Sequence, residues 1–276
     1  MEEAKKFGRC LARLLKEHGP QGWWPRIVVH ETCDLRHGEY VVRHHPGPKA
    51  SWLSRTRADQ AFEVAIGAIL TQNTAWTNVE KALVSLAAKG LTTSHALSRT
   101  RLPSIESCVR SSGYYRQKAK KLKLFAKFVE EELGGDFGNV LTTRRPERSS
   151  SEVKDHLKKI SLKKVLHSGR RTASVQDDLV SMAREKLLSL WGIGPETADT
   201  ILLYGLGCPV FVVDAYTRRF LSRLTGDASW SKRPYDEARR FCESALVEST
   251  VEDLQEAHAL IVRWGKDSNP GDRLVV

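Results

Sequence analysis

Two carboxylates and a pair of glycines mark the part of this sequence whose residue types could do chemistry. The run Leu190-Trp191-Gly192-Ile193-Gly194-Pro195-Glu196-Thr197-Ala198 is followed, a short helix later, by Phe211-Val212-Val213-Asp214. An Asp placed before Ala215-Tyr216-Thr217-Arg218 has two uses. It caps a helix through a side-chain oxygen, or, facing a cleft, it supplies negative charge to a developing cation. Gly192 and Gly194 have no side chains, so the backbone there can approach a partner closely and take positive φ where required. Pro195 lacks an N–H and has a preset φ, which suits a helix start. The N–H groups left free at that start form a site for an anion. Leu187, Leu188 and Leu190 end one apolar helix and Ile201, Leu202 and Leu203 lie in another, so a hairpin between two helices presents the glycines.

The anion is suggested by the charge. Among 276 residues, 44 Lys and Arg stand against 33 Asp and Glu, a net +11 that favours a polyanionic partner such as a DNA phosphate backbone. No apolar run approaches the roughly 18 to 20 residues of a membrane span, and the N-terminus is charged and amphipathic rather than signal-like. The expectation is a soluble intracellular protein, cytoplasmic or nucleoid-associated, with no membrane partner. Cys10, Cys33, Cys108, Cys208 and Cys242 are odd in number and scattered, which gives neither a disulfide framework nor metal-ligand spacing. They read as reduced, mostly buried thiols, and no metal site is expected.

Together, the hairpin and the Val-Asp at its fixed distance resemble the helix-hairpin-helix DNA glycosylase superfamily, in particular its endonuclease III-related members. The resemblance implies an all-α fold of two helical subdomains, one built from both chain ends, with an active cleft between them. It implies that Gly192, Ile193, Gly194 and Thr197 belong to a hairpin gripping DNA backbone and that Asp214 is catalytic. Bifunctional members carry a Schiff-base Lys two residues beyond the second hairpin glycine, where this chain has Glu196. A carboxylate cannot form an imine, so the resemblance implies a monofunctional enzyme with weak or absent lyase activity. Many relatives end in a four-cysteine iron–sulfur cluster. After Arg263-Trp264-Gly265-Lys266 this chain has no cysteine, so no cluster or other cofactor is expected.

The elements that must hold these residues read mostly as helices. Residues 2–18 carry Ala4, Phe7, Leu11, Leu14 and Leu15 at helical spacing and stop at Gly19-Pro20. Trp23-Trp24-Pro25 follows; paired tryptophans in a loop either plug a core or line a pocket. The 3-methyladenine glycosylase-like branch of the family has a Trp-Trp-Pro segment that walls its base pocket, which the resemblance carries to Trp23 and Trp24. Ile27-Val28-Val29 and Tyr40-Val41-Val42 admit a short hairpin within an insertion at 26–60, whose four histidines lack metal-ligand spacing. A helix from Asp59 ends at Thr71-Gln72-Asn73-Thr74-Ala75-Trp76, and Thr77-Asn78-Val79-Glu80 reads as a capping box for the next. By resemblance, Gln72 fills the gap left by a flipped nucleotide and Trp76 faces the base. Ser112-Gly113-Tyr114-Tyr115-Arg116-Gln117-Lys118-Ala119 matches the family segment whose first apolar residue wedges the opposite strand, which points to Tyr114; an aromatic packed in the core is the alternative.

Residues 141–175 hold ten Lys/Arg against three Asp/Glu and read as a basic insertion, near 138–175, that contacts phosphates without sequence preference. Two last helices, 234–247 and 251–264, are expected, the second capped by Thr250 and stopped by Gly265. The expected organisation is residues 1–58 packing with the C-terminal helices, a hairpin domain over 59–205, and a C-terminal subdomain over 206–276 that carries Asp214. The function expected is excision of a damaged base, an alkylated purine such as 3-methyladenine first, from double-stranded DNA by a monomer. Oxidised pyrimidine, uracil or mispaired thymine is the alternative substrate, and a non-catalytic DNA-binding module is the alternative of another class.

Overall fold

A computed structural model describes residues 2–30, 40–43, 50–52, 56–142 and 173–268. Most of the basic insertion, with its expected short helix, lies outside the described residues, as do Cys33, His37, His44 and His45. The described chain is helical with one small sheet appended. In order come α1 (Glu2–His18), β1 (Arg26–His30), β2 (Tyr40–Arg43), β3 (Ala50–Trp52), α2 (Arg57–Thr71), α3 (Trp76–Ala88), α4 (Ser94–Arg99), α5 (Leu102–Val109) and α6 (Tyr115–Leu133). After the insertion follow α7 (Ala173–Leu188), α8 (Pro195–Thr200, continued with π-type winding through Ile201–Gly205), α9 (Ala215–Thr225), α10 (Tyr235–Ala245) and α11 (Val251–Asp267). None of these helices is long and apolar enough to cross a membrane.

The apolar spacing of α1 buries Phe7, Cys10, Leu11 and Leu14 and leaves Leu15 exposed. That face packs on α9, α10 and α11, joining the chain ends. Phe7 is the keystone there, edge-on to Phe220 at 5.5 Å and to Phe211 and Phe241 at 6.4 Å. A second aromatic focus lies between α2 and α6, where Phe62 stacks on Phe125 at 5.6 Å and Phe137 meets Phe125 edge-on at 5.2 Å. One continuous apolar core contains both.

The hairpin expected near residue 27 is present and gains a third strand: β1 pairs antiparallel with both β2 and β3, with Ile27 opposite Val42 and Val28 opposite Val41. The Ile27 N–H donates to Glu63 Oε1 at 2.6 Å, which ties the sheet to α2 and gives a buried carboxylate its use. Two local readings fail. Ala75, not Thr77, is the N-cap of α3 and offers no side-chain cap, because the helix begins two residues earlier than expected, at Trp76. Gly265 does not stop the last helix, which runs on to Asp267. A Cβ on Gly265 would lie 2.3 Å from the Tyr216 ring, so this glycine serves close packing of α11 on α9. Thr250 does cap α11, in a reciprocal box with Asp253.

Candidate active site

The hairpin is built as its residue types require. Gly192 has φ +85°, which strains any residue with a side chain, and a Cβ there would sit 2.3 Å from Lys121 Cε, so the lysine would also have to move aside. Gly194 differs: it has φ −95°, is the N-cap of α8, and a Cβ there would meet nothing within 4 Å. Its bareness leaves the helix start open to a partner. Ile193 is buried and pins the turn to the core, while Trp191 stands half exposed beneath the Lys120 ammonium, 4.8 Å from its ring centre.

Gln72 lies against this hairpin rather than free in its loop. Its Nε2 donates to Gly192 O at 3.0 Å and to Thr197 Oγ1 at 2.9 Å, and Lys121 Nζ donates to its Oε1. Both ends of its amide are therefore engaged by residues distant in sequence. Tyr114 is 69% exposed, which removes the core-packing alternative; it heads α6 with φ +44°, a left-handed conformation.

The apolar run before Asp214 crosses the core, with Val210, Phe211, Val212 and Val213 all buried. Side chains supply the hydrogen bonds that a buried extended segment needs: Phe211 N–H donates to Glu243 Oε1 and Val213 N–H to Tyr235 Oη. Asp214 emerges from this segment as the N-cap of α9, its Oδ1 accepting from Thr217 N at 2.7 Å. Its Oδ2 faces His258 Nε2 at 3.7 Å. Burial works to raise the Asp214 pKa, but His258 and the Thr217 donors outweigh it and hold the carboxyl below its usual range. The group is thus kept ionised although only 17% of the side chain is exposed.

Asp214 opens on a cavity of about 380 Å³. Trp23 and Trp24 line it from the segment after α1, and Gln72 and Trp76 from the ends of α2 and α3. Glu196, Thr197 and Thr200 come from α8, and His258, Val262 and Lys266 from α11. The three tryptophans form one wall: Trp24 meets Trp23 edge-on at 5.9 Å and Trp76 edge-on at 5.3 Å. Gly67 in α2 makes room for this, since a Cβ there would lie 2.9 Å from Trp24 Nε1. Glu196 stands at the mouth, where desolvation by the surrounding walls and then the Asp214 charge push its pKa up. A smaller cavity of about 130 Å³ shares Trp23, Trp24, Trp76 and Lys266 and adds Gln21 and Arg263.

The structure therefore brings Trp23, Trp24, Trp76, Gln72, Thr197, Glu196 and Asp214 to one cavity and sets Gly192, Ile193 and Gly194 beside it; Tyr114 stands on the exposed surface at the start of α6. Sequence reasoning missed His258 and read Lys121 only as part of a basic helix face; Lys266 entered it only as the first alternative to an imine-forming Lys. The available signal for His258 was a histidine inside the apolar run Ala257-His258-Ala259-Leu260-Ile261. Among the described residues, no group of three His, Cys, Asp or Glu side chains is placed to hold a metal ion.

With this geometry in place, the chain can be set beside known proteins. Residues 66–246 match the family described as HhH-GPD superfamily base excision DNA repair protein. The protein belongs to this family. It is 32% identical over 253 residues, 92% of this chain and 84% of the relative, to a Methanocaldococcus jannaschii protein named as a DNA repair glycosylase. It is 26% identical over 193 residues, 70% of this chain, to endonuclease III of Thermotoga maritima, covering 67% of that relative. In fold it is similar to the H. pylori 3-methyladenine DNA glycosylase bound to 1,N6-ethenoadenine, with a TM-score of 0.60, 23% identity and coverage of 96% of this chain and 97% of that one. A thermostable thymine-DNA glycosylase shares the fold at a TM-score of 0.57 and 16% identity, covering 98% of this chain and 91% of that one.

Proposed function

We propose that this base excision repair protein is a monofunctional DNA glycosylase that hydrolyses the N-glycosidic bond of a flipped, alkylated purine such as 3-methyladenine. It acts as a monomer on double-stranded DNA and uses no cofactor. The observation that carries the reading is the meeting of an ionised Asp214 and a wall of three tryptophans in one cavity. The size of that cavity, about 380 Å³, suits a single flipped base. Electron-rich indole faces attract the positive charge of an alkylated purine.

Cleavage of the glycosidic bond passes through an oxocarbenium-like sugar. Asp214 stabilises that cation and orients the water that adds to it, while the alkylated base departs without strong acid catalysis. The hairpin N–H groups after Gly194 and the glycine backbone hold phosphate, Tyr114 wedges the opposite strand, and Gln72 leaves its hairpin bonds to occupy the gap. Glu196 stands where an imine-forming Lys would be needed, so the abasic product is released intact. No iron–sulfur cluster enters the reading.

One observation favours a second substrate class. Lys266 lines the same cavity, and an ammonium there donates to the carbonyl oxygens of an oxidised pyrimidine, uracil or mispaired thymine more readily than it tolerates a cationic purine. Duplexes that each carry one defined lesion decide between the two under single-turnover conditions. The expected result is fastest loss of the alkylpurine, strand breaks only after alkali, and no adduct trapped by borohydride. Preferred excision of uracil or an oxidised pyrimidine contradicts the substrate, and an adduct in useful yield contradicts the monofunctional reading and points to Lys266.

A further inference from the structure

His258 is buried, and its Nε2 has no hydrogen-bond partner among the described residues. The polar atom it faces is Asp214 Oδ2, 3.7 Å away. Its other nitrogen, Nδ1, lies 2.7 Å from Tyr204 Oη, and that hydroxyl lies 3.0 Å from Gln255 O. These contacts limit where the ring protons can be. With the Tyr204 hydroxyl donating to Gln255 O, it accepts from Nδ1–H and Nε2 carries a hydrogen only when the ring is the imidazolium; with the hydroxyl turned to donate to Nδ1, the neutral ring carries its proton on Nε2. An Nε2 without hydrogen would aim a lone pair at a carboxylate in a site with little water to separate them, which is strongly unfavourable. In the favourable arrangements Nε2 carries a hydrogen and presents it to Asp214.

Asp214 itself needs such a hold. Its Oδ1 is fixed by the Thr217 N–H, but a cap made through one oxygen leaves the other free to swing about the Cβ–Cγ bond. The His258 ring cannot swing. Trp23 packs edge-on to it at 5.9 Å, Phe211 edge-on at 6.3 Å, and Tyr204 holds its far nitrogen. Gln255 in turn donates to Leu203 O, tying this turn of α11 to the π-type segment after α8. Glu196 and Lys266 are the other charged groups on the cavity, and neither is hydrogen-bonded to Asp214.

We infer that His258 is a positioning residue, whose Nε2–H, oriented by Tyr204, aims the Asp214 carboxylate at the sugar of the flipped nucleotide. The inference rests on Asp214 being the catalytic carboxylate. At 3.7 Å the contact is longer than a hydrogen bond. It shortens when DNA closes the cleft, as catalytic contacts commonly do. His258 lies beyond residues 66–246, so the family match does not itself assign it a role.

The test compares binding to duplexes holding either a cationic pyrrolidine or a neutral tetrahydrofuran in place of the flipped sugar. A misaimed carboxylate lowers affinity for the cation and spares the neutral ring, whereas general structural damage lowers both. The wild-type protein is expected to prefer the cation. His258→Phe should cut that preference about tenfold or more, the scale of a hydrogen bond to a charged group. His258→Gln, whose amide reaches the same place, should restore most of it. Tyr204→Phe, which keeps the ring packing, should cost about two- to tenfold. An undiminished preference in His258→Phe overturns the inference while leaving Asp214 its role. Absence of any preference in the wild-type protein removes the role of Asp214 and the inference with it. If His258→Phe does not fold, Tyr204→Phe decides: a lost preference supports the inference and an unchanged one overturns it.

Discussion

Asp199 and Asp214 are both carboxylates set among apolar residues near the hairpin, and the molecule treats them in opposite ways. Asp199 is fully buried on α8, and Arg184 grips both of its oxygens, Nε to Oδ1 at 2.7 Å and Nη2 to Oδ2 at 3.2 Å. Burial pushes its pKa up, and the guanidinium pulls against that shift. Arg184 also pairs with Asp236 and so locks α7, α8 and α10 together. Asp214 is held by Thr217, faces a histidine just out of hydrogen-bond reach, and has an open cavity in front of it. A carboxylate whose acceptor sites are all taken holds helices together. One with an acceptor left over, and kept ionised, can act on something that enters.

The two carboxylates should differ most in what their loss does to stability. Removal of the Arg184 side chain leaves Asp199 buried and unpaired, and Arg184→Ala should cost about 3 to 5 kcal/mol, the usual penalty for breaking a buried pair. Chemical denaturation measures this. A loss below about 1 kcal/mol would mean that Asp199 simply takes up a proton, and that the pair is not what locks the helices.

Lys118 is a third kind of buried charge. Its ammonium donates to Leu70 O and Ser112 O, with no carboxylate partner among the described residues, and burial followed by the charge of Lys121 pushes its pKa down from 10.5 to about 8. Because the folded value is the lower one, the unfolded chain binds more protons between about 8 and 10.5. Stability from this group therefore rises with pH across that window, by on the order of 3 kcal/mol when complete. Denaturation of the wild-type protein and Lys118→Met from neutral to alkaline pH isolates the term. Parallel curves would show that the buried ammonium titrates normally.

Trp76→Ala probes the open side of the comparison. Stacking on one base is worth roughly 1 to 3 kcal/mol, so excision of an alkylpurine should fall by about tenfold or more while affinity for undamaged duplex stays nearly constant. Equal losses in both would make Trp76 part of the core and weaken the pocket.

Much of this arrangement was legible in the sequence, because its determinants are local. The two hairpin glycines, Pro195 at a helix start and the Val-Asp spacing each concern a few neighbouring residues, and their shared spacing carried the family resemblance. What failed to show was set by packing between distant segments. His258 stands 44 residues after Asp214 and reads in one dimension as part of an apolar helix face. Lys121 and Gln72 meet only because α2 and α6 lie together, so the partners of this loop amide could not be read locally. Gly265 and Thr77 misled in the opposite sense: each fits a local rule for helix ends, yet α3 begins before Thr77 and α11 runs on through Gly265, which packs closely on Tyr216.

The central claim is that Asp214 serves catalysis beyond its helix cap, and Asp214→Asn tests it most directly. Asn caps a helix about as well as Asp, so the thermal midpoint and the affinity for undamaged duplex should match those of the wild-type protein. The amide lacks the negative charge that meets the oxocarbenium-like sugar, and loss of such a placed group costs on the order of a hundredfold or more in rate. Single-turnover excision of the alkylpurine by a folded, DNA-binding Asp214→Asn protein should accordingly be nearly abolished. An unchanged rate would show that Asp214 is a cap alone and would contradict the account.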